Sequence, residues 1–122
     1  MATACVHVVD YLYASYEHFN ASLSPVIWFD SISVDGREFK LRNELRVPVT
    51  REDGLVVLET KAIPIVAYGD TLDDAVDSFQ EQFGVVWDRI ATEDDANLTL
   101  DAQAVKHEQL QLVDSVANLR DA

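Results

Sequence analysis

The chain has 122 residues, 48% of them hydrophobic, with five Phe, four Tyr and two Trp. That combination describes a single folded domain and excludes a disordered polypeptide. Its 22 acids and 9 bases leave a net charge of −13, which argues against nucleic-acid or anionic-membrane binding by the surface as a whole.

No apolar run approaches the roughly 18 residues of a membrane span. The start, MATACVHVVDY, lacks the basic region of a signal peptide. A cytoplasmic location is the expectation, and one cysteine, Cys5, leaves no internal disulfide to form.

Taken in order, residues 4–14 are rich in Val and Tyr and read as a strand, followed by a loop ending at Ser24-Pro25. Val8, Leu12, Tyr16, Phe19 and Leu23 fit a helical stripe equally well. Val26–Val34 reads as a strand with Val26, Trp28, Ile32 and Val34 on one face. Asp35-Gly36 is a two-residue hairpin signal, because Gly tolerates the positive φ that the turn demands. Arg37–Val49 alternates cleanly: Phe39, Leu41, Leu45, Val47 and Val49 point one way, and Glu38, Lys40, Arg42, Glu44 and Arg46 the other. Thr50–Gly54 turns the chain, Leu55–Lys61 returns as a strand, and Ile65–Tyr68 follows. Pro64 places the start of that last strand at an edge or bulge.

The strongest helix signal begins at Thr71, a good N-cap with Asp74 three residues on in a capping-box-like arrangement. Leu72, Ala75, Val76, Phe79, Phe83, Val86, Trp87 and Ile90 then form one apolar stripe. Thr92–Asn97 is an acidic loop. A second helix is expected over 99–120, its stripe made of Val105, Leu112, Val116 and Leu119 and widened by Leu110 and Val113. The expected fold is α+β: an antiparallel β-meander with one long amphipathic helix packed on one face and a second, C-terminal helix.

Catalytic chemistry finds little footing. His7, His18 and His107 have no partner at a ligand spacing. The adjacent pairs Asp73-Asp74 and Asp94-Asp95 diverge on a helix or loop, so they neither share a proton nor hold a metal together. With four Gly in the chain, no phosphate-cradling loop exists, and Gly69 is explained by turn geometry. Neither a catalytic residue, a metal nor a cofactor is expected.

Charge is the sharper signal. Residues 37–51 carry five cations against Glu38 and Glu44, a local excess of +3 that leaves −16 for the remainder. Two surfaces emerge as candidates for binding another protein. One is acidic (Asp70, Asp73, Asp74, Asp77 and Glu81 at the start of the long helix) and is first of all a set of carboxylates satisfying the helix dipole. The other is the basic stripe of Lys40, Arg42 and Arg46, a solvated strand face or an edge for self-association against the acidic helix of another copy.

Arg51–Gly54 (REDG), Leu55–Leu58, Ile63-Pro64 and above all Ala67–Val76 (AYGDTLDDAV) carry a family likeness. Over Leu45–Ile90 the chain resembles the HicB-like antitoxin domain, whose helix begins Gly-Asp-Thr-Leu-Glu-Glu-Ala-Leu. The resemblance implies a partial ribonuclease-H-like sheet with one helix on it, at residues 44–92. Residues 1–43 would then extend that sheet, and 99–120 would follow as the C-terminal helix of the same single domain. It further implies a homodimer and a non-catalytic role, neutralising a small basic, RNA-cleaving toxin. The family's DNA-binding module has no counterpart, because 99–120 is neither basic nor a helix-turn-helix. An alternative from a different class is an acidic nucleic-acid mimic that inhibits a DNA- or RNA-binding enzyme, as phage anti-defence proteins do. Asp70, Asp73, Asp77, Glu81 and Asp88 would be its phosphate-like row.

Overall fold

The structure, a computed structural model, describes residues 6–9 and 25–119. Six strands form one antiparallel sheet: β1 (Val6–Val9), β2 (Val26–Val34), β3 (Arg37–Glu52), β4 (Leu55–Thr60), β5 (Ile65–Gly69) and β6 (Val113–Asn118). The first five are neighbours in chain order, and β6 adds to β3. Helix α1 (Leu72–Val86) continues into a π-helical turn at Trp87–Ala91, and α2 (Leu100–Leu112) precedes β6. The α+β meander with one long helix and a second near the C-terminus is thus the architecture. Of the expected strand over 4–14, Val6–Val9 is seen as β1; the rest of it, and the loop to Ser24, lie outside the described residues.

Two Asp-Gly turns shape the meander. Asp35 and Gly36 have φ of 53° and 76°, and Asp53 and Gly54 have 51° and 82°. Such left-handed pairs match the twist of a tight hairpin. The second turn is tighter than a Thr50–Gly54 loop: β3 runs on through Thr50–Glu52, each paired with β4. At the other end of β4, proline chemistry sets the limit. The Val49 N–H donates to Pro25 O at 2.9 Å on the β2 side, so by alternation Thr50 and Pro48 face β4. Pro48 has no N–H to give, and the ladder stops at the Val49–Leu58 pair.

The core lies between the sheet and α1. Phe79 stacks on Phe29 with centroids 5.1 Å apart, while Phe83 and Trp87 meet Phe39 edge-on at 5.4 and 5.3 Å. Ile27, Phe29, Ile32, Phe39, Val47 and Leu58 are fully buried against them. The apolar stripe of the long helix faces this core as its spacing requires. On β2 the alternation expected from sequence fails in its first half. Ile27 and Phe29 point inward, and Trp28 turns out under Arg46, 4.7 Å from its ring. The reason is a large register shift. Between the Phe29–Leu45 and Ser31–Lys40 pairs, Asp30 alone stands opposite Leu41–Glu44. A bulge of that kind bends the strand and changes which residues face in, so Ile32 returns to the core from an even position.

Thr71 caps α1, its hydroxyl accepting from the Asp74 N–H at 3.1 Å. Thr71→Ala should cost about 1 kcal/mol, read as a lower denaturation midpoint, whereas Thr71→Ser should be nearly silent. Gly69 is needed for closeness rather than for turn geometry: its φ is not positive, but a Cβ there would collide with the Ala75 nitrogen and with Asp74. The first turn of α1 is laid directly on the end of β5.

The C-terminal region departs most from expectation. The helix ends at Leu112 and the chain enters β6, where Phe39 pairs with Val116 and Glu38 with Ala117. The open edge of β3 offers backbone partners to this Val-containing run. A helical continuation would leave the same Val113, Val116 and Leu119 on a weak stripe, and Val116 and Leu119 remain 41% and 43% exposed even as placed.

Candidate protein-binding surfaces

The five acidic candidates all lie on the solvent side of α1. Asp70 sits in the bend before the cap, Asp73 and Asp74 in the first turn, and Asp77 and Glu81 on the next two turns, all exposed. Steps of four residues put Asp73, Asp77 and Glu81 in one row, about 6 Å apart along the axis. The salt bridges among the described residues use Asp88, Asp114 and Asp95 and none of these five.

The basic candidates lie on the opposite side of the sheet, because β3 alternation turns Lys40, Arg42 and Arg46 away from the face that receives α1. Lys40 is exposed beside Ser31. Arg42 donates to Gln111 O at 3.1 Å and to Asp114 at 3.2 Å, tying β3 to the α2–β6 junction. Arg46 lies over Trp28. The two charged sets are therefore not brought together within one molecule.

Other charges close the core. Arg37 reaches from the inner face of β3 to Asp88 with two bonds, 2.8 and 3.0 Å, and lies 5.2 Å above the Phe39 ring. Its hydrogen bond to Asp88 raises its already high pKa further. In the acidic loop, Glu93 accepts from the Asp94 N–H and from Asn97, and these bonds hold its carboxyl below the usual range. Lys106 neutralises the same loop, donating to Glu93 O at 2.6 Å and Asp95 at 2.9 Å.

A third surface was not legible in the sequence. β6 pairs with β3 only as far as Leu41, and the pairing of β3 with β4 begins at Val49, so among the described residues no strand covers that edge of β3 in between. Behind it opens a cleft of 380 Å³. Leu45, Ile63, Ile65, Phe79, Phe83 and Leu112 make it apolar, and Arg46, Lys61, Glu59 and Glu108 stand around it. Opposite charges in equal number give its rim no net sign. Pro48, which ends the β4 ladder, was the one residue that could have signalled it.

Beside the cleft, α2 makes one buried polar contact. Gln109 is fully buried, donates from Nε2 to Phe83 O at 3.1 Å, and leaves Oε1 without a partner. This bond falls one turn before α1 widens into the π turn, where the Thr92 N–H reaches back to Trp87 O. A side chain inserted at the helix ladder is a recognised setting for such widening.

Among the described residues no group of three His, Cys, Asp or Glu side chains converges as metal ligands would, and no helix is long and apolar enough to cross a membrane. His107 is exposed; Cys5, His18 and the His7 side chain lie outside the described residues. No protein-family model matches the chain, and neither a curated protein nor a solved structure does.

Proposed function

We propose that this chain is a non-catalytic protein-binding module of antitoxin type, which masks a small basic partner such as an RNA-cleaving toxin. The observation that carries the reading is the set of exposed, unneutralised carboxylates on α1 and just before it: Asp70, Asp73, Asp74, Asp77 and Glu81. Two acids in the first turn suffice for the helix dipole, whose influence fades within that turn. Asp77 and Glu81 lie beyond it. On a rigid helix, such a row attracts a basic surface at long range and sets its register by sign. The strand, strand, strand, helix order of β3–β4–β5–α1 is the order that the HicB-like resemblance implies, and the overall charge of −13 suits a cationic partner.

Co-expression with the product of the neighbouring reading frame tests this. A small basic protein should co-purify, and the complex should weaken with salt. The triple variant Asp73→Lys, Asp77→Lys, Glu81→Lys should lose at least about 100-fold in affinity, since like charges across an interface cost several kcal/mol. Recovery of no basic protein by the wild-type chain ends the proposal.

The nucleic-acid mimic is the second reading, and the same carboxylate row favours it. Its far end weakens it. Asp88, at its far end, is already held by Arg37. Competition with DNA for a target enzyme would bring this reading forward.

A further inference from the structure

β4 and β6 both run antiparallel to β3 along the same edge of it, one ending at the Val49–Leu58 pair and the other starting at Leu41–Val113. The gap between them is a missing length of strand. Arg46 lies within it. The Val49 N–H donates to Pro25 O at 2.9 Å, so Val49, Val47 and Leu45 turn their backbone toward β2, and by alternation the N–H and C=O of Arg46 point into the gap. No described strand pairs with them there. Glu44, Arg46 and Pro48 are exposed along it. An edge left bare in this way is a template for one more strand.

We propose that this gap takes an extended segment of another polypeptide, added antiparallel to β3 with one acidic residue opposite Arg46 and an aliphatic residue on either side of it. The register follows from the strand geometry. A guest residue opposite Arg46 exchanges both backbone bonds with it, and cross-strand partners share a face of the sheet. Its two neighbours therefore turn the other way, as Leu45 and Val47 do, into the cleft floored by Phe79, Phe83 and Ile65. At 380 Å³ that cleft falls within the range of about 300–1,000 Å³ found for pockets that hold ligands. Backbone bonds along a bare edge, with alternate side chains entering a pocket, are how added strands are recognised.

Charge fixes the middle residue. Arg46 lies over Trp28, and neither it nor Lys61 is in a salt bridge among the described residues. Those two cations stand against Glu59 where β3 and the end of β4 part, one positive charge in excess, while Glu108 comes from α2 on the inner side. One carboxylate on the outer face meets that excess. A second would be turned toward Glu108 and the apolar floor. The inference is independent of the masking role, whose carboxylates lie on the solvent side of α1.

Fluorescence anisotropy of a tagged acetyl-Thr-Leu-Glu-Leu-Thr-amide tests it on the full chain. The peptide should bind saturably. Its isomer acetyl-Leu-Thr-Glu-Thr-Leu-amide turns the leucines to the outer face and should bind at least about tenfold more weakly. Methylating the amide nitrogen of the central Glu removes the donor to Arg46 O and should also cost about tenfold, whereas methylating that of the following Leu, which points away from β3, should cost little. Arg46→Glu, with unchanged circular dichroism, should lose about tenfold for the Glu peptide and regain it when Lys replaces that Glu. No binding up to about 1 mM peptide overturns the inference, as does equal binding of the two isomers or of the two methylated forms. So does an apolar dye, anilinonaphthalene sulfonate, held in the cleft and not displaced by the peptide, which would make it a small-molecule site. Self-association of the chain that the peptide disperses would put a second copy in the gap and overturns it too.

Discussion

Phe79→Ala should lower stability by about 3–5 kcal/mol, the usual cost of deleting a buried aromatic ring. Phe79 is fully buried, stacks on Phe29 at 5.1 Å and forms part of the floor of the cleft. Its loss removes the contact that seats the middle of α1 on the first half of β2, and it joins the vacated space to the cleft. Water can then reach the new cavity, which favours the lower part of that range. Domains have about 5–15 kcal/mol to lose, so the variant should be close to the edge of folding at room temperature. Urea denaturation gives the value directly. Glu81→Ala, on the solvent side of the same helix, should stay within about 0.5 kcal/mol. Equal effects from both substitutions would mean that α1 is not seated on this face.

Gln109→Glu should be comparably damaging, and its damage should depend on pH. The side chain keeps its size but loses the donor that bonds Phe83 O, and a carboxylate would face that carbonyl in a fully buried place. An uncompensated buried charge costs about 3–5 kcal/mol. Burial disfavours the ionised form, so the folded-state pKa must rise above the unfolded value of about 4.3. The folded chain then binds its proton more tightly than the unfolded one. The deficit is small below the unfolded pKa, where a protonated acid can still donate to Phe83 O. It grows as pH climbs through the folded pKa and then levels off. Gln109→Leu is the contrasting case: it removes the orphan Oε1 and takes one donor from Phe83 O, which keeps the Trp87 N–H, so it should cost about 0.5–1.5 kcal/mol and be flat with pH. Urea midpoints for both variants from acid to neutral pH separate the two behaviours.

What could be read from the residues was whatever repeats with a fixed period. The stripe from Leu72 to Ile90 and the alternation from Phe39 to Val49 name their own partners, because each leaves one greasy side that only the other can cover. The Asp35-Gly36 dipeptide located the first hairpin for an equally local reason, whereas the second turn is narrower than the Thr50–Gly54 span that the residues suggest. What could not be read depends on residues far apart in the chain. Alternation alone puts Trp28 on the face of Ile32, because nothing in VIWFDSISV reveals that Asp30 will stand opposite four residues of β3. Helix and strand were both open to Val113–Asn118 as isolated peptides, and the vacant flank of β3 decided between them. The cleft has the same origin, since it is the space left where two strands share a third without meeting. Of the candidate surface residues, their exposure was legible, but the division of acids and bases onto opposite sides of the sheet required the fold.

The late arrival of β6 has a consequence for how the molecule assembles. From β2 to α1 every pairing joins sequence neighbours, and such local topologies close quickly, since each loop to be formed is short. β6 is the exception: Arg42 and Asp114, which stitch it down, are 72 residues apart. During synthesis the helix-covered hairpins can form before residues 113–118 have left the ribosome. The last strand to dock should also be the first to open, so its amides should exchange with solvent faster than those of β2 or β4.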